Sequence, residues 1–267
     1  MRYAFIGLGN MAGAIIRGMA ACGKFTEDTI TGYDLAEDKL RAMAADWGVI
    51  PASGIPSAAA GADVLVLAVK PQHMEPVLAQ AAPHLTPGAQ VITIAAGLKL
   101  AWYEARLPAA TPVVRVMPNL NAVARAAVSA LCPGTWAGET ELRRAEKLFS
   151  AVGSTFRLSE DQFHAFVGIS GSSPAFTYMY TAALAQAGAE RGLPEDLALQ
   201  IACAAVAGSA TMLAQSGTDP QELVRRVCSP GGTTIEGVNL LREREFEAAA
   251  RDAALAAADK DRRMGGD

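Results

Sequence analysis

The sequence predicts an α/β domain followed by an all-α domain, and three observations point to it. Short, continuous apolar runs alternate with helical patterns through the first 159 positions. A glycine-rich turn joins the first of these runs to the first helix. From Glu160 onward the strand pattern stops and long, alanine-rich helical stretches take over. The boundary therefore falls near Ser159, with one domain over residues 1–159 and a second over 160–267.

The first strand is the apolar run 3–6, and it leads directly into Gly7-Leu8-Gly9-Asn10-Met11-Ala12. This hexapeptide fits G-x-G-x-x-A, and the residues after it are compatible with helix. Each small residue has a physical task. Gly7 permits the tight turn, Gly9 lets the backbone approach a pyrophosphate, and Ala12 lets the helix pack on the strand. The phosphates then meet the N-terminal end of the helix. Such turns also occur without a ligand, so the following elements matter.

A second strand at 29–33 ends at Asp34, the distance beyond the glycines at which a carboxylate grips a ribose 2′-hydroxyl. In that role Asp34 repels a 2′-phosphate and tilts the site toward NAD(H) over NADP(H), with Lys39 and Arg41 close enough to oppose it. The alternative role for Asp34 is capping the turn after its own strand. The run 63–69 (DVLVLAV) is apolar throughout, as a parallel strand covered on both faces requires. Runs 90–95 and 112–117 repeat the pattern. The sheet region continues through 128–132, a helix at 138–151 and a short strand at 155–158. Turn, acid and strand order together predict a Rossmann dinucleotide-binding domain, with NADH or NADPH as cofactor.

Ligands of open parallel sheets bind beyond the carboxyl ends of the strands. Val69, Lys70 and Pro71 end the third of these strands and are candidates to line the crevice; a solvated strand-end lysine is the other reading of Lys70. Asn119 ends the fifth and could bond a nicotinamide amide or a substrate, or serve as a turn residue.

The second half reads as helices over 161–191, interrupted at Gly171-Ser172-Ser173-Pro174, then 194–215, 219–227 and 233 to about 263. Asp219-Pro220 is a helix start, and Gly192 and Gly217 are helix stops. The apolar segment 198–214 falls short of the roughly 20 residues a bilayer span needs and is expected to lie buried inside protein. So much apolar helical surface predicts a homodimer through the helical domain. Between two helices stands Ser229-Pro230-Gly231-Gly232-Thr233-Thr234, where proline and paired glycine break the pattern. Its amides lie at the head of the last helix, a nest for an anion such as a carboxylate. Ser229 or Thr233 could equally be helix caps.

With 51% hydrophobic residues and a net charge of -4, the chain has no electrostatic reason to bind nucleic acid or an anionic membrane. Small molecules and further copies of itself are the expected partners. Cys22, Cys132, Cys203 and Cys228 form no C-x-x-C pair and have no histidine at metal-site spacing, so reduced packing residues in a cytoplasmic protein are expected, and no metal site. No secretory leader is read at the start.

The blocks GLGNMA, VKPQ (69–72), IAAG (94–97), RVMPN (115–119), SGSSPAF (170–176) and SPGGTTIEG (229–237) together resemble the pyrroline-5-carboxylate reductase family. That resemblance implies reduction of L-1-pyrroline-5-carboxylate to L-proline by NAD(P)H, in dimers that can assemble into decamers. It implies a cofactor site that includes Ala95 and Gly97. It implies that Ser229, Gly231, Gly232, Thr233 and Thr234 hold the substrate carboxylate, that Thr234 reaches the ring nitrogen as the catalytic hydroxyl, and that Ser172 and Ser173 approach the same pocket. The sequence departs from the family pattern at Leu120 and at Ser173, where threonine and glycine are common. A dehydrogenase of the 3-hydroxyacid type would need a catalytic lysine in the helical half, and none occurs between Glu160 and Lys260. A non-catalytic nucleotide sensor would have no use for the anion nest.

Overall fold

The structure is a computed structural model that describes residues 1–23 and 25–265. Its contacts divide the chain into two compact units, residues 1–171 with 258–267, and residues 172–257. The sequence boundary at Ser159 lies earlier than this division, because the segment after it stays packed on the sheet: Phe163 and Phe166 are buried with the sheet residues. The last two positions of the expected second domain lie outside the described residues.

In the first unit the elements run β1 (Arg2–Ile6), α1 (Asn10–Ala21), β2 (Thr29–Tyr33), α2 (Glu37–Trp47), β3 (Ile50–Pro51), α3 (Ile55–Ala59) and β4 (Val64–Leu67). They continue with α4 (Met74–Ala81), β5 (Gln90–Thr93), α5 (Leu100–Glu104), β6 (Val113–Pro118), β7 (Ala127–Pro133), α6 (Glu139–Phe149), β8 (Gly153–Arg157) and α7 (Phe163–Phe166). The sheet order is β3-β2-β1-β4-β5-β6-β7-β8. The first six strands are mutually parallel, β7 is antiparallel to β6, and β8 is parallel to β7. The order 3-2-1-4-5-6 is that of the dinucleotide-binding doubly wound fold, so the predicted class holds for this unit. The run 63–69 forms the fourth strand, since the two-residue β3 is too short to leave a pattern.

Alternation along the strands sorts side chains between two cores. Tyr3 and Phe5 point into one, with α1 and α6, while Ala4 and Ile6 point into the other, with α3, α4 and α5. Every residue of β4 is fully buried, which is why its sequence is uninterrupted aliphatic rather than alternating.

After α7 a π-helical turn spans Val167–Gly171. The interruption predicted at 171–174 is therefore centred earlier, and Pro174 sits in the first turn of the next helix, where its missing amide hydrogen costs nothing. The second unit holds α8 (Ser173–Glu190), α9 (Glu195–Ser216), α10 (Pro220–Val227), α11 (Thr233–Glu243) and most of α12 (Phe246–Met264). The single last helix expected from residue 233 is two helices. Glu245 adopts φ 52°, a left-handed conformation that breaks the helical hydrogen bonding without glycine or proline to mark it.

Helices α8 and α9 form a hairpin in which a Cβ on Gly188 would lie 3.3 Å from the Ala198 Cβ, so small residues set the close approach. Helix α9 was expected to be buried on most sides, and it is not. Only 11% of its most apolar window is buried, and Ala198 and Ala202 are its buried residues. With 22 residues and a mean hydropathy of 1.8 it is also longer than the apolar run and long enough, by length and composition, to cross a membrane. Its apolar surface is left uncovered within one protomer.

Candidate active site

The glycine turn is built at the point where the strand order reverses, between β1 and β4. The Gly7 amide donates to the Tyr33 carbonyl at 2.8 Å, and the Ala68 amide donates to the Ile6 carbonyl at 2.9 Å. These bonds fix the ends of β1, β2 and β4 beside one another. Gly7 has φ +92°, and a Cβ there would lie 2.8 Å from the Ala68 carbonyl oxygen, so the turn admits only glycine. Gly9 is the N-cap of α1, with open space where its Cβ would be. No acidic residue occupies the first turn of α1, so its amides and dipole present positive potential to that space.

A cleft of about 680 Å³ opens there, large enough for an extended ligand. Of the residues predicted to bind cofactor, Gly7, Gly9, Asp34, Val69 and Lys70 line it. Leu8 instead turns its side chain into the core, and its amide donates to Asp34 Oδ2 at 2.7 Å. Asp34 Oδ1 accepts from the Ala36 amide at 2.9 Å. Asp34 thus caps its own turn while lining the cleft.

The other predicted residues do not line this cleft. Asn10 is exposed and Met11 half-buried at the head of α1, and Ala12 is buried where the helix meets the sheet. Pro71 opens the 3-10 turn after Lys70. Ala95 is buried in the second core. Gly97 borders a separate cavity of about 230 Å³, with Lys99, Arg115, Glu160, His164 and Asp261. There Arg115 Nη1 donates to Glu160 Oε1 at 2.8 Å, the same oxygen accepts the Leu100 amide at 2.8 Å, and the guanidinium stacks 4.6 Å from the Phe163 ring centre. His164 Nδ1 lies 2.9 Å from Asp261 Oδ2. Asn119 is buried; its Nδ2 donates to the Ser170 carbonyl and hydroxyl, and its Oδ1 accepts from the Val128 amide. It braces the end of β6 against the π turn.

The sequence reading missed Tyr33, Leu35, Ile55, His73, Val77 and Gln80 as cleft residues. A signal existed. Once the switch point is placed, the residue after Asp34 and the helix after β4 must form opposite walls of the crevice.

In the second unit, residues 229–234 form the expected break. Gly231 has φ +70°, and the Gly232 amide donates to the Ser229 carbonyl at 3.0 Å. Gly232 is the N-cap of α11, and Thr233 and Thr234 lie exposed in its first turn. Ser172 is the N-cap of α8, with Ser173 as its first residue.

Comparison with known proteins agrees over the whole length. A family model described as pyrroline-5-carboxylate reductase dimerisation matches residues 160–264, and one described as NADP oxidoreductase, coenzyme F420-dependent, matches residues 2–97. The pyrroline-5-carboxylate reductase of Methanosarcina acetivorans is 36% identical over 98% of this chain and 97% of its own. The chain belongs to the pyrroline-5-carboxylate reductase family. The Escherichia coli member is 35% identical over 97% of both chains. Among solved structures, the Coxiella burnetii reductase superposes with a TM-score of 0.90 at 30% identity, covering 98% of this chain and 97% of that one. The Plasmodium falciparum reductase, solved with NADP bound, gives 0.85 at 26% identity, covering 99% and 98%. Family membership makes the chain an oxidoreductase whose substrate is a small molecule, and residues 160–264 belong to the family's dimerisation region. The uncovered apolar face of α9 falls within that region.

Proposed function

We propose that the chain reduces L-1-pyrroline-5-carboxylate to L-proline, the last step of proline biosynthesis, with NADH or NADPH as reductant. Full-length identity to members of the family carries the reading. The glycine turn and the 229–234 loop, each at the head of a helix of eight residues or more, support it.

The residues present fit a dinucleotide. Gly9 leaves room for close backbone approach, α1 brings its unopposed N-terminal dipole, and Asp34 stands at the cleft as an acceptor for ribose. Gly7, Leu8, Gly9, Asn10, Met11 and Ala12 form the phosphate turn, Val69, Lys70 and Pro71 the wall after β4, and Ala95, Gly97 and Asn119 support the site from the ends of β5 and β6. When bound, the reduced nicotinamide supplies the hydride. The amides of residues 231–234, with Ser229 beside them, hold the substrate carboxylate at the head of α11. Thr234 brings its hydroxyl to the ring nitrogen, the oxygen accepting from the N–H of the protonated imine, and Ser172 and Ser173 complete the pocket. A protonated imine is already electrophilic, so positioning and charge matching suffice without a strong acid.

Residues 1–159 serve in this reading as the dinucleotide-binding part and 160–267 as the dimerisation part of a cytoplasmic homodimer, which can assemble into a decamer. The test is imine-dependent loss of reduced-nicotinamide absorbance by the purified protein. Its absence in a preparation that binds coenzyme would refute the substrate. Thr234→Ala should lower kcat/KM for the imine by about tenfold to a hundredfold, the value of one hydrogen bond to a charged group, with coenzyme affinity unchanged. Unchanged kinetics would remove Thr234 from the mechanism.

A further inference from the structure

We propose that Asp34 makes this chain selective for NADH over NADPH, and that it does so as a fixed, prepositioned carboxylate. The inference rests on the coenzyme reading above and goes beyond it, since the family-model match over residues 2–97 and the Plasmodium falciparum structure both carry NADP in their descriptions.

Three observations converge. First, Asp34 cannot easily swing away. Its two oxygens are held from two sides, by the Leu8 amide at 2.7 Å and the Ala36 amide at 2.9 Å. Each oxygen keeps a further lone pair, enough to accept ribose hydroxyls but hostile to a phosphate dianion. The Ala36 amide, which a 2′-phosphate at the head of α2 would use, is already donated to the carboxylate.

Second, the guanidinium that could answer a 2′-phosphate is occupied. Arg41 Nη1 donates to Glu37 Oε2 at 3.1 Å, and Nη2 is paired with Asp38 one turn away on the same helix. Glu37 and Asp38 fill the first turn of α2, so the helix end that would attract a phosphate carries two carboxylates instead.

Third, the side chains of the two residues following Asp34 offer no donor. Leu35 is apolar, 89% exposed and on the cleft, and Ala36 has only its committed amide. Lys39 lines the same cleft, with Lys70 beyond the end of β4, so a 2′-phosphate beside Asp34 would set ammonium charge against a fixed carboxylate, whereas an unphosphorylated ribose meets an acceptor it can use.

The experiment measures two quantities on each preparation: the Kd of NADH and of NADPH for the free protein by calorimetric titration, and kcat/KM for each coenzyme with the imine. The ratio between coenzymes is insensitive to the fraction of protein that is folded. Wild type should favour NADH by about tenfold or more in both quantities. Asp34→Asn keeps the shape and an acceptor for Leu8 while removing the charge, and should bring the two coenzymes within about threefold of one another. Glu37→Gln with Asp38→Asn, which releases Arg41 with Asp34 intact, should shift the ratio toward NADPH in the same sense. Wild-type affinity for NADPH equal to or above that for NADH would overturn the proposal, and loss of that affinity in Lys39→Ala would name Lys39 as the determinant instead. An unchanged ratio in Asp34→Asn would overturn it as well. The titrations need no turnover, so a chain that fails to reduce the imine but discriminates between coenzymes would refute the substrate reading and leave this one standing.

Discussion

The two glycines of the phosphate turn should fail in opposite ways when each is replaced by alanine. At Gly7 the new Cβ would sit 2.8 Å from the Ala68 carbonyl oxygen, 2.9 Å from its carbon and 3.0 Å from Val69 Cγ1, on a residue with φ +92°. Left-handed strain and overpacking together cost about 2–5 kcal/mol, and the clashing atoms include the Ala68 backbone just after β4, which cannot rotate away. At Gly9 nothing lies within 4 Å of the same added atom. Its φ of -70° suits any residue, so only the weaker capping by alanine counts, under about 1 kcal/mol. Gly7→Ala should therefore lower the urea midpoint of the coenzyme-free protein markedly, and Gly9→Ala should barely move it. Calorimetric titration should then show Gly9→Ala weakened for both coenzymes by about tenfold or more, because its methyl group takes the space left for the pyrophosphate. If folded Gly9→Ala binds coenzyme within about twofold of wild type, the phosphates do not pass over Gly9 and the cleft has been assigned to the wrong ligand end.

Three further outcomes concern stability. Among the described residues Ser129 Oγ is buried without a hydrogen-bond partner, so Ser129→Ala should be neutral or stabilising by up to about 1 kcal/mol in urea denaturation. Glu160→Ala would strand the buried Arg115 guanidinium and the Leu100 amide at once, costing about 3 kcal/mol, the lower end of the usual range because Glu160 is itself 27% exposed; Glu160→Gln keeps an acceptor and should cost less. Burial pushes the phenols of Tyr3 and Tyr103 up to about 12. Unfolded phenols ionise near 10, so the stability these groups contribute is whole below about pH 10 and is lost between about 10 and 12. A urea midpoint measured across that window should fall steeply, and less so in Tyr103→Phe.

What was legible in the sequence is what short-range pattern can encode. The fully buried β4 reads as unbroken aliphatic residues, the turn at Gly7 as a glycine no other residue can replace, and the cap at Asp219 as the carboxylate that accepts from the Gln221 and Glu222 amides. What was illegible depends on partners far along the chain. Asn119 reads in the sequence as a ligand partner or a turn residue at a strand end, and its engagement with Ser170 and Val128 comes from how the π turn returns to β6. Gly97 enters the cofactor site only through the family resemblance, and the cavity it borders is closed by residues from α7 and the end of α12, more than sixty positions away. The break at Glu245 carries no glycine or proline, so no local rule marks it.

Helix α9 shows why composition alone misleads about burial. Its residues are apolar nearly all round, which in a single chain implies a helix enclosed by its own fold. Here the hairpin with α8 covers one narrow stripe at Ala198 and Ala202, and Leu199, Ile201 and Met212 stay exposed. Periodicity reports which residues avoid water but not which molecule excludes it. The same apolar length therefore satisfies the criteria for a membrane span, a core helix and a subunit interface. What decides among them is the match of residues 160–264 to a dimerisation region, because a second protomer can cover a face that is apolar, rich in small residues and uncovered within one chain.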